Sequence, residues 1–362
     1  MRRTHFPKTA GIAVVTVIVS LCAAIVTPPA QAVSVSGLFG SQDPTYDGVF
    51  RQSLALIALS SQDMPIPPTA ARWLIDQQCA DGAFEAYRAD PAARCKDSDL
   101  DTYSGKDTNS TAMAAMALTL IGQESRARKA ISWLESTQNA DGGIPWLKGG
   151  TSDSSSTALT MLALRTVGEP VASFRNAGRS LRMYLRTTVL GCKYPKGQQG
   201  AVSFMKSGPL VASDMTTAQV TAALSLAWPI SRAASLAPAT RLNCPAGVPN
   251  SLSELRAVIA GYSAHRLATT NSQIPSAFGL GTDWSSTAWT VLGLVAARVG
   301  GKAVPQAVAG LKANVQDAIR GSDDSVEVGK VSLMLLVAKS QGETGTSFGG
   351  VNLRRSLKGL LN

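Results

Sequence analysis

The chain has 362 residues, 45% of them hydrophobic and 16% charged, with a formal net charge of +10 and only two histidines. That length suffices for one large domain or two small ones. The lysines and arginines are spread without a basic block, which excludes a nucleic-acid stripe and suits a solvated surface facing an anionic cell wall; no glycine-rich phosphate loop follows a strand pattern, and two histidines without a CxxC motif argue against zinc.

Residues 1–32 read as an export signal. Arg2, Arg3 and Lys8 form a basic start, an apolar run follows from Gly11 to Val26, and Ala30-Gln31-Ala32 places small residues where a peptidase cuts. The mature chain is expected to begin at Val33, secreted or cell-wall associated, with an uncleaved N-terminal anchor as the lesser alternative. Leu21 before Cys22 is too large for lipoprotein processing. Removing the three basic residues takes the net charge from +10 to +7.

Six similar phrases then recur, each opened by an aspartate and running into Ala, Leu and Met: from Asp47, Asp107, Asp153, Asp214, Asp283 and Asp324. Aspartate is a good helix N-cap, and Ser or Thr stands three residues on at Ser110, Ser156, Thr217 and Ser286. Residues 111–121 carry no charge, and a helix apolar all round must be buried on all sides. These are expected to be inner helices. Between them lie amphipathic segments at 71–78, 125–138, 172–187, 251–268, 304–320 and 351–361, with apolar residues at helical spacing and charges opposite. These are expected to be outer helices. No convincing strand pattern appears.

The stretches RWLIDQQCADGAF (72–84) and SWLESTQNADGGI (132–144) repeat in register sixty residues apart. Trp73 and Trp133, Gln78 and Gln138, and Asp81 and Asp141 read as structural: the tryptophan lies on an outer helix, and Gln with the Asp-Gly turn stitches its end to the next element, glycine taking a turn conformation that a side chain forbids. Six alternating pairs of one inner and one outer helix predict an all-α α6/α6 toroid over residues 33–362, because an open stack would leave an uncharged helix facing water.

Four cysteines follow the signal: Cys79, Cys95, Cys192 and Cys244. An even number in an exported chain predicts two disulfides. Three pairings are possible; Cys79–Cys95 with Cys192–Cys244 is preferred, since each would tie down one long inter-helix segment.

Gln138-NADGG with Trp133 and Trp146 resembles the QW-type repeat of the squalene cyclase and prenyltransferase repeat superfamily, and Gln78-CADGAF resembles it less well, having Ala83 at the second glycine. Asp107-Thr108 with Ala112-Met113-Ala114 is similar to the inner helix of cobalamin carriers such as transcobalamin, and the whole chain resembles secreted bacterial members of this superfamily. The resemblance implies the toroid; because enzymes and binders share it, function must come from the site. Cobalamin carriers cover their ligand with a β-rich domain; none is expected after the last outer helix here, so a corrinoid is expected to lie half exposed unless a partner or membrane transporter covers it.

The enzymatic signatures of the superfamily are absent. Leu100 breaks Asp97-Ser98-Asp99-Leu100-Asp101 as a DxDD acid, and Gly321 stands where Ser322-Asp323-Asp324 would need its leading acid. There is no DDxxD and no Asp/Cys/His zinc triad, His265 being placed on an outer helix. Asp97, Asp99 and Asp101 form a weak calcium candidate, lacking the glycine and distal glutamate of an EF-hand.

The closed ring should gather the starts of the inner helices into a mouth holding Tyr103, Asp107, Asn109, Trp146, Asp153, Asp214, Gln273, Phe278, Asp283 and Trp284. A concave, partly aromatic surface with a few polar groups suits a small ligand, and helix N-termini favour acceptor groups. The expectation is a non-catalytic binder of a corrinoid- or isoprenoid-like molecule, without a cofactor, partnered with an uptake system or a cell-wall component. The alternatives are a divergent terpene cyclase or prenyltransferase-like enzyme, and an extracellular protein-binding scaffold.

Overall fold

The computed structural model describes residues 36–206, 208–225, 231–232, 235–244, 247–277, 279 and 281–362. The expected export signal over 1–32, Cys22 and the site candidate Phe278 lie outside the described residues. Among the described residues, six helices form an inner layer: α1 (Gly48–Ser61), α3 (Thr108–Leu120), α5 (Ser154–Val167), α7 (Asp214–Ala223), α9 (Trp284–Ala297) and α12 (Val328–Ser340). Every residue of α3 from Ser110 to Leu118 is buried, as its lack of charge requires. An outer helix packs on each: α2 (Pro68–Asp76), α4 (Glu124–Glu135), α6 (Leu181–Thr187), α8 (Leu252–Thr269), α10 (Ala303–Ala313) continued by α11 (Val315–Ala318), and α13 (Leu353–Lys358).

The inner helices close a ring. Each packs on the next, and α12 returns to α1. The seam is also hydrogen-bonded: Gly37 N–H donates to the Asn362 carbonyl (2.8 Å), Gly40 N–H to that of Leu360 (2.7 Å), and Asn362 N–H to that of Leu38 (3.1 Å). The all-α α6/α6 toroid is therefore the fold. Its core is continuous around the ring, and fully buried Leu56, Leu118 and Leu162 each represent about 2–5 kcal/mol if cut to alanine.

The repeated phrase fastens one hairpin to the next. Gln78 Nε2 donates to the Gly82 carbonyl (3.1 Å) and to that of Arg126 at the start of α4 (3.0 Å). Gln138 Nε2 donates to the Gly142 carbonyl (2.9 Å) and to that of Phe174 (3.5 Å). Gly82 sits at φ +98°, and a Cβ there would lie 2.4 Å from the Lys129 carbonyl oxygen of α4; at Gly142 (φ +91°) it would lie 2.7 Å from that of Ser180. The turns need glycine for conformation and for close approach alike.

A second fastener is a threonine one turn into the inner helix. Thr111 Oγ1 accepts the Phe84 N–H at 3.0 Å and donates to the Asp107 carbonyl at 2.6 Å. Thr157 does the same between Ile144 (2.9 Å) and Asp153 (2.6 Å), Thr217 between Val202 (2.9 Å) and Ser213 (2.6 Å), and Thr287 between Ile274 (2.9 Å) and Asp283 (2.8 Å). One hydroxyl thus satisfies a buried loop amide and ties the loop to the helix it precedes.

The structure departs from the expectations in particular places. Asp107, Asp153 and Asp283 cap their helices, accepting the N–H of Ser110, Ser156 and Ser286 at 2.7, 2.7 and 2.8 Å. Asp47 makes no capping bond, because Arg51 one turn later takes its carboxylate at 2.7 Å. Ser213 caps α7 instead of Asp214, which shifts the serine/threonine register there by one: Thr216 receives the cap and Thr217 is the fastener. Asp324 stands ahead of α12 at φ +63°, in a turn. The segment 172–187 is helical only as α6, because Ala177 and Gly178, both at positive φ, turn the preceding chain into a hairpin of β3 (Arg175–Asn176) and β4 (Arg179–Ser180). A second small hairpin pairs β1 (Ile144–Pro145) with β2 (Ser152–Asp153).

Candidate ligand-binding site

The long connection from α2 to α3 builds one wall of a cavity at the starts of α1 and α3. The expected bonds Cys79–Cys95 and Cys192–Cys244 are both present, and the first closes this connection. Buried Arg88 donates to the carbonyls of Gln77 (3.3 Å), Pro91 (2.6 Å) and Ala93, while Gln77 returns a bond from Nε2 to the Arg88 carbonyl (3.0 Å). Lys106 Nζ is held between Asp81 (2.8 Å) and Asp97 (2.7 Å). These ties fix a loop that has no helix of its own, so the side chains at its tip are presented by a rigid frame.

The cavity has a volume of about 670 Å³, within the range that holds drug-sized ligands. Its aromatic lining comes from three stretches: Tyr46 and Phe50 at the start of α1, Tyr87 and Tyr103 in the connection, and Trp146 in the next loop. The rings of Tyr103 and Trp146 stack at 6.2 Å with 12° between planes. Tyr46, Tyr103 and Trp146 are 88%, 67% and 41% exposed, so the apolar faces are open to a ligand. The backbone behind them is anchored: Trp146 presents its carbonyl to the N–H (2.9 Å) and hydroxyl (3.1 Å) of Thr108, and Val49 N–H donates to Ala86 (2.8 Å).

Polar groups punctuate this lining. Glu85, Lys96, Asp107 and Asn109 all face the cavity. Burial pushes the Asp107 carboxyl up to about 6, against the opposing bond from Ser110 N–H. Burial also raises Asp47, with Arg51 opposing it. Asn109 Oδ1 is buried without a hydrogen-bond partner.

Four of the ten expected residues, Tyr103, Asp107, Asn109 and Trp146, are thus brought together. Of the others, the five that lie among the described residues do not line this cavity. Asp153 is buried at the end of β2, its carboxylate taken by the N–H and hydroxyl of Ser156 and its pKa raised by burial to about 6. Asp214 turns to the outer layer, accepting from Tyr262 Oη (2.7 Å) and Arg266 Nε (3.0 Å). Gln273 accepts from Thr282 (2.7 Å), Asp283 caps α9, and Trp284 packs half-buried on the core. Tyr46, Phe50, Tyr87, Glu85 and Lys96 are additions. Tyr46 and Phe50 flank Asp47 at the head of an inner helix, and that position was the available signal.

Asp97, Asp99 and Asp101 do not converge on a common point. Asp97 pairs with Lys106, and Asp99 Oδ1 accepts the N–H groups of Asp101 (2.9 Å) and Thr102 (3.3 Å). Among the described residues, the one cluster with metal-ligand character is Cys79, Glu85 and Cys95, whose sulfurs are bonded to each other. Asp323 bonds Ser325 on the exposed turn before α12, and His265 lies on α8.

No family model matches the chain, and no curated protein matches it. Among solved structures it is similar to the ent-copalyl diphosphate synthase of Streptomyces platensis, with a TM-score of 0.51 and 17% identity over 81% of this chain and 50% of that one. It thus spans half the length of that synthase. It is also similar to the type II terpene cyclase MstE from Scytonema in complex with geranylgeranyl dihydroxybenzoate (TM-score 0.47, 13% identity, 82% of this chain and 88% of that chain). A protein geranylgeranyltransferase-I of Candida albicans gives a TM-score of 0.34 at 10% identity over 65% of this chain and 70% of that one. The two disulfides are those of a chain that folds in an oxidising compartment, and among the described residues no helix is long and apolar enough to cross a membrane. What the likeness establishes is the fold alone: this chain is an α/α toroid, similar in fold to part of that synthase.

Proposed function

We propose that this protein is exported and binds a small, largely apolar ligand in the cavity at the starts of α1 and α3, without covalent chemistry. The observation that carries the reading is the stacked Tyr103–Trp146 pair in a cavity of about 670 Å³ that Asp107 and Asn109 also line. Aromatic faces offer dispersion and stacking to an unsaturated or ring-bearing molecule, and the polar side chains among them offer directional contacts. An isoprenoid-like molecule suits this volume; a corrinoid exceeds it and would lie partly outside. Handover to an uptake system belongs to the same proposal.

Native mass spectrometry of protein secreted by its own host tests this. A mass excess that vanishes on denaturation, and is diminished in Trp146→Ala, is expected. A clean apo mass that persists after incubation with polyprenyl compounds and cobalamins would remove the carrier reading in favour of a protein-binding scaffold.

One observation favours an enzymatic reading: Asp107, its carboxyl raised to about 6, lies in the same cavity as the aromatic wall. A buried acid beside π-faces is an arrangement that can protonate an alkene and stabilise the resulting cation. Cyclised product from a polyprenyl substrate, abolished in Asp107→Asn while the ligand still binds, would establish it. Unchanged substrate in both proteins would rule it out.

A further inference from the structure

A second site lies away from the aromatic cavity. Between Glu169 and Asp214 the chain has seven basic residues and no acidic one. The fold gathers four of the seven, Arg179, Arg182, Arg186 and Lys206, around a cleft of about 410 Å³. This cleft shares Thr187 and Lys206 with an adjoining concavity of about 580 Å³ that contributes Lys193. The cations therefore line a track that runs through two concavities.

Among the described residues, none of these five cations forms an ion pair. The one carboxylate in the cleft, Asp141, has its Oδ1 engaged by Gly143 N–H (2.9 Å) and Ser152 Oγ (2.8 Å). Arg186 is oriented by bonds from Nε to the Pro249 carbonyl (3.1 Å) and from Nη2 to that of Val248 (3.2 Å). Arg182 and Arg186 stand one turn apart on α6, about 6 Å along its axis. Like charges held this close repel one another, and an anion relieves that repulsion. Three of the five are arginines, whose planar fork matches phosphate oxygens.

We propose that this track binds a linear phosphate polyanion, with successive phosphates occupying the two concavities. A single small anion would use one concavity and leave the cations of the other unengaged, whereas a chain of charges engages the whole row. The site is independent of the ligand in the aromatic cavity.

The test is fluorescence anisotropy with labelled long-chain inorganic polyphosphate, using the full secreted protein. Affinity should fall steeply with salt, as counterions released on binding require. The exposed triple substitution Arg179→Gln, Arg182→Gln and Lys206→Gln should weaken binding about a hundredfold with an unchanged thermal midpoint. The control Lys302→Gln, Arg355→Gln and Lys358→Gln removes the same charge from other helices and should cost less than about threefold. Equal losses in the two variants would overturn the proposal, leaving only net charge. Inorganic phosphate competing at the same concentration of phosphate groups would overturn it in favour of a single-anion site. Binding to phosphatidylglycerol vesicles without binding to polyphosphate would overturn it in favour of a membrane surface.

Discussion

Tyr103 and Trp146 lie 43 positions apart, on loops ahead of successive inner helices, yet their rings stack at 6.2 Å and 12°. Tyr103 holds its place with a left-handed backbone (φ +52°), a conformation that costs a non-glycine residue on the order of 1 kcal/mol. Trp146→Ala removes an exposed ring and should lower the thermal midpoint by no more than about 2 °C. It should also strip bound ligand by about three- to tenfold in affinity. Trp73→Ala, at a tryptophan only 6% exposed, should instead destabilise the fold by about 3–5 kcal/mol. Paired unfolding and ligand-retention measurements separate the two roles.

The glycine turns differ in what surrounds them. Gly82→Ala puts a Cβ 2.4 Å from the Lys129 carbonyl oxygen at φ +98°, whereas Gly149 (φ +88°) has open space around it. Conformational strain alone, about 1–2 kcal/mol, is expected for Gly149→Ala. Gly82→Ala adds the displacement of α4 and should cost at least about 3 kcal/mol. Denaturant midpoints for the pair would show equal losses if the clash is absorbed.

Thr157→Val keeps the shape of a fastener and removes its hydroxyl. The Ile144 N–H is buried and bonded to that oxygen, so about 1–3 kcal/mol should be lost. Thr119→Val removes only a half-buried bond to a carbonyl of its own helix and should cost below about 1 kcal/mol. Chemical denaturation of both variants checks the ordering.

Acidity should act through the buried caps. Asp107 and Asp153 titrate near 6 in the folded chain, raised by burial from 3.8. Between those values the native state holds more protons than the unfolded one, so these two groups make stability fall as pH rises from about 4 to about 6. Asparagine also caps helices, so Asp107→Asn should flatten this dependence and stabilise the protein near pH 7 by on the order of 2 kcal/mol. Thermal midpoints measured across pH 4–8 give the answer; a wild-type curve that rises through this window in step with the variant would contradict it.

Reduction tests the frame of the cavity. The Cys79–Cys95 bond closes a span of 16 residues, worth about 3 kcal/mol by loop entropy. The double substitution Cys79→Ser and Cys95→Ser should lose about that amount and weaken ligand retention as well, because the freed connection carries Tyr87 and Tyr103.

Much of this was legible from the chain alone. Six largely apolar phrases alternating with six amphipathic ones dictate two layers, since an apolar helix cannot face water and a charged face cannot be buried cheaply. The Asp-Gly turns and the caps at Asp107, Asp153 and Asp283 follow from local rules that operate within a few residues, whereas the disulfide pairing was one of three that the four cysteines allowed. Where a local rule met a competing partner, the partner decided. Arg51 took the Asp47 carboxylate, Tyr262 and Arg266 took Asp214, and a positive-φ pair at Ala177 and Gly178 shortened an outer helix to α6.

The site is the product of tertiary structure. A mouth lined by all six helix starts was expected, but the aromatic residues gather at the starts of α1 and α3, where the loop ahead of α5 brings in Trp146. Basic residues that look scattered along the chain converge around α6, because a hairpin, a helix and a returning loop bring Arg179, Arg186 and Lys206 to one cleft. Periodicity and capping depend on neighbours within a turn and are written in the sequence. Proximity between separate loops depends on the closing of the ring, and only the folded chain decides it.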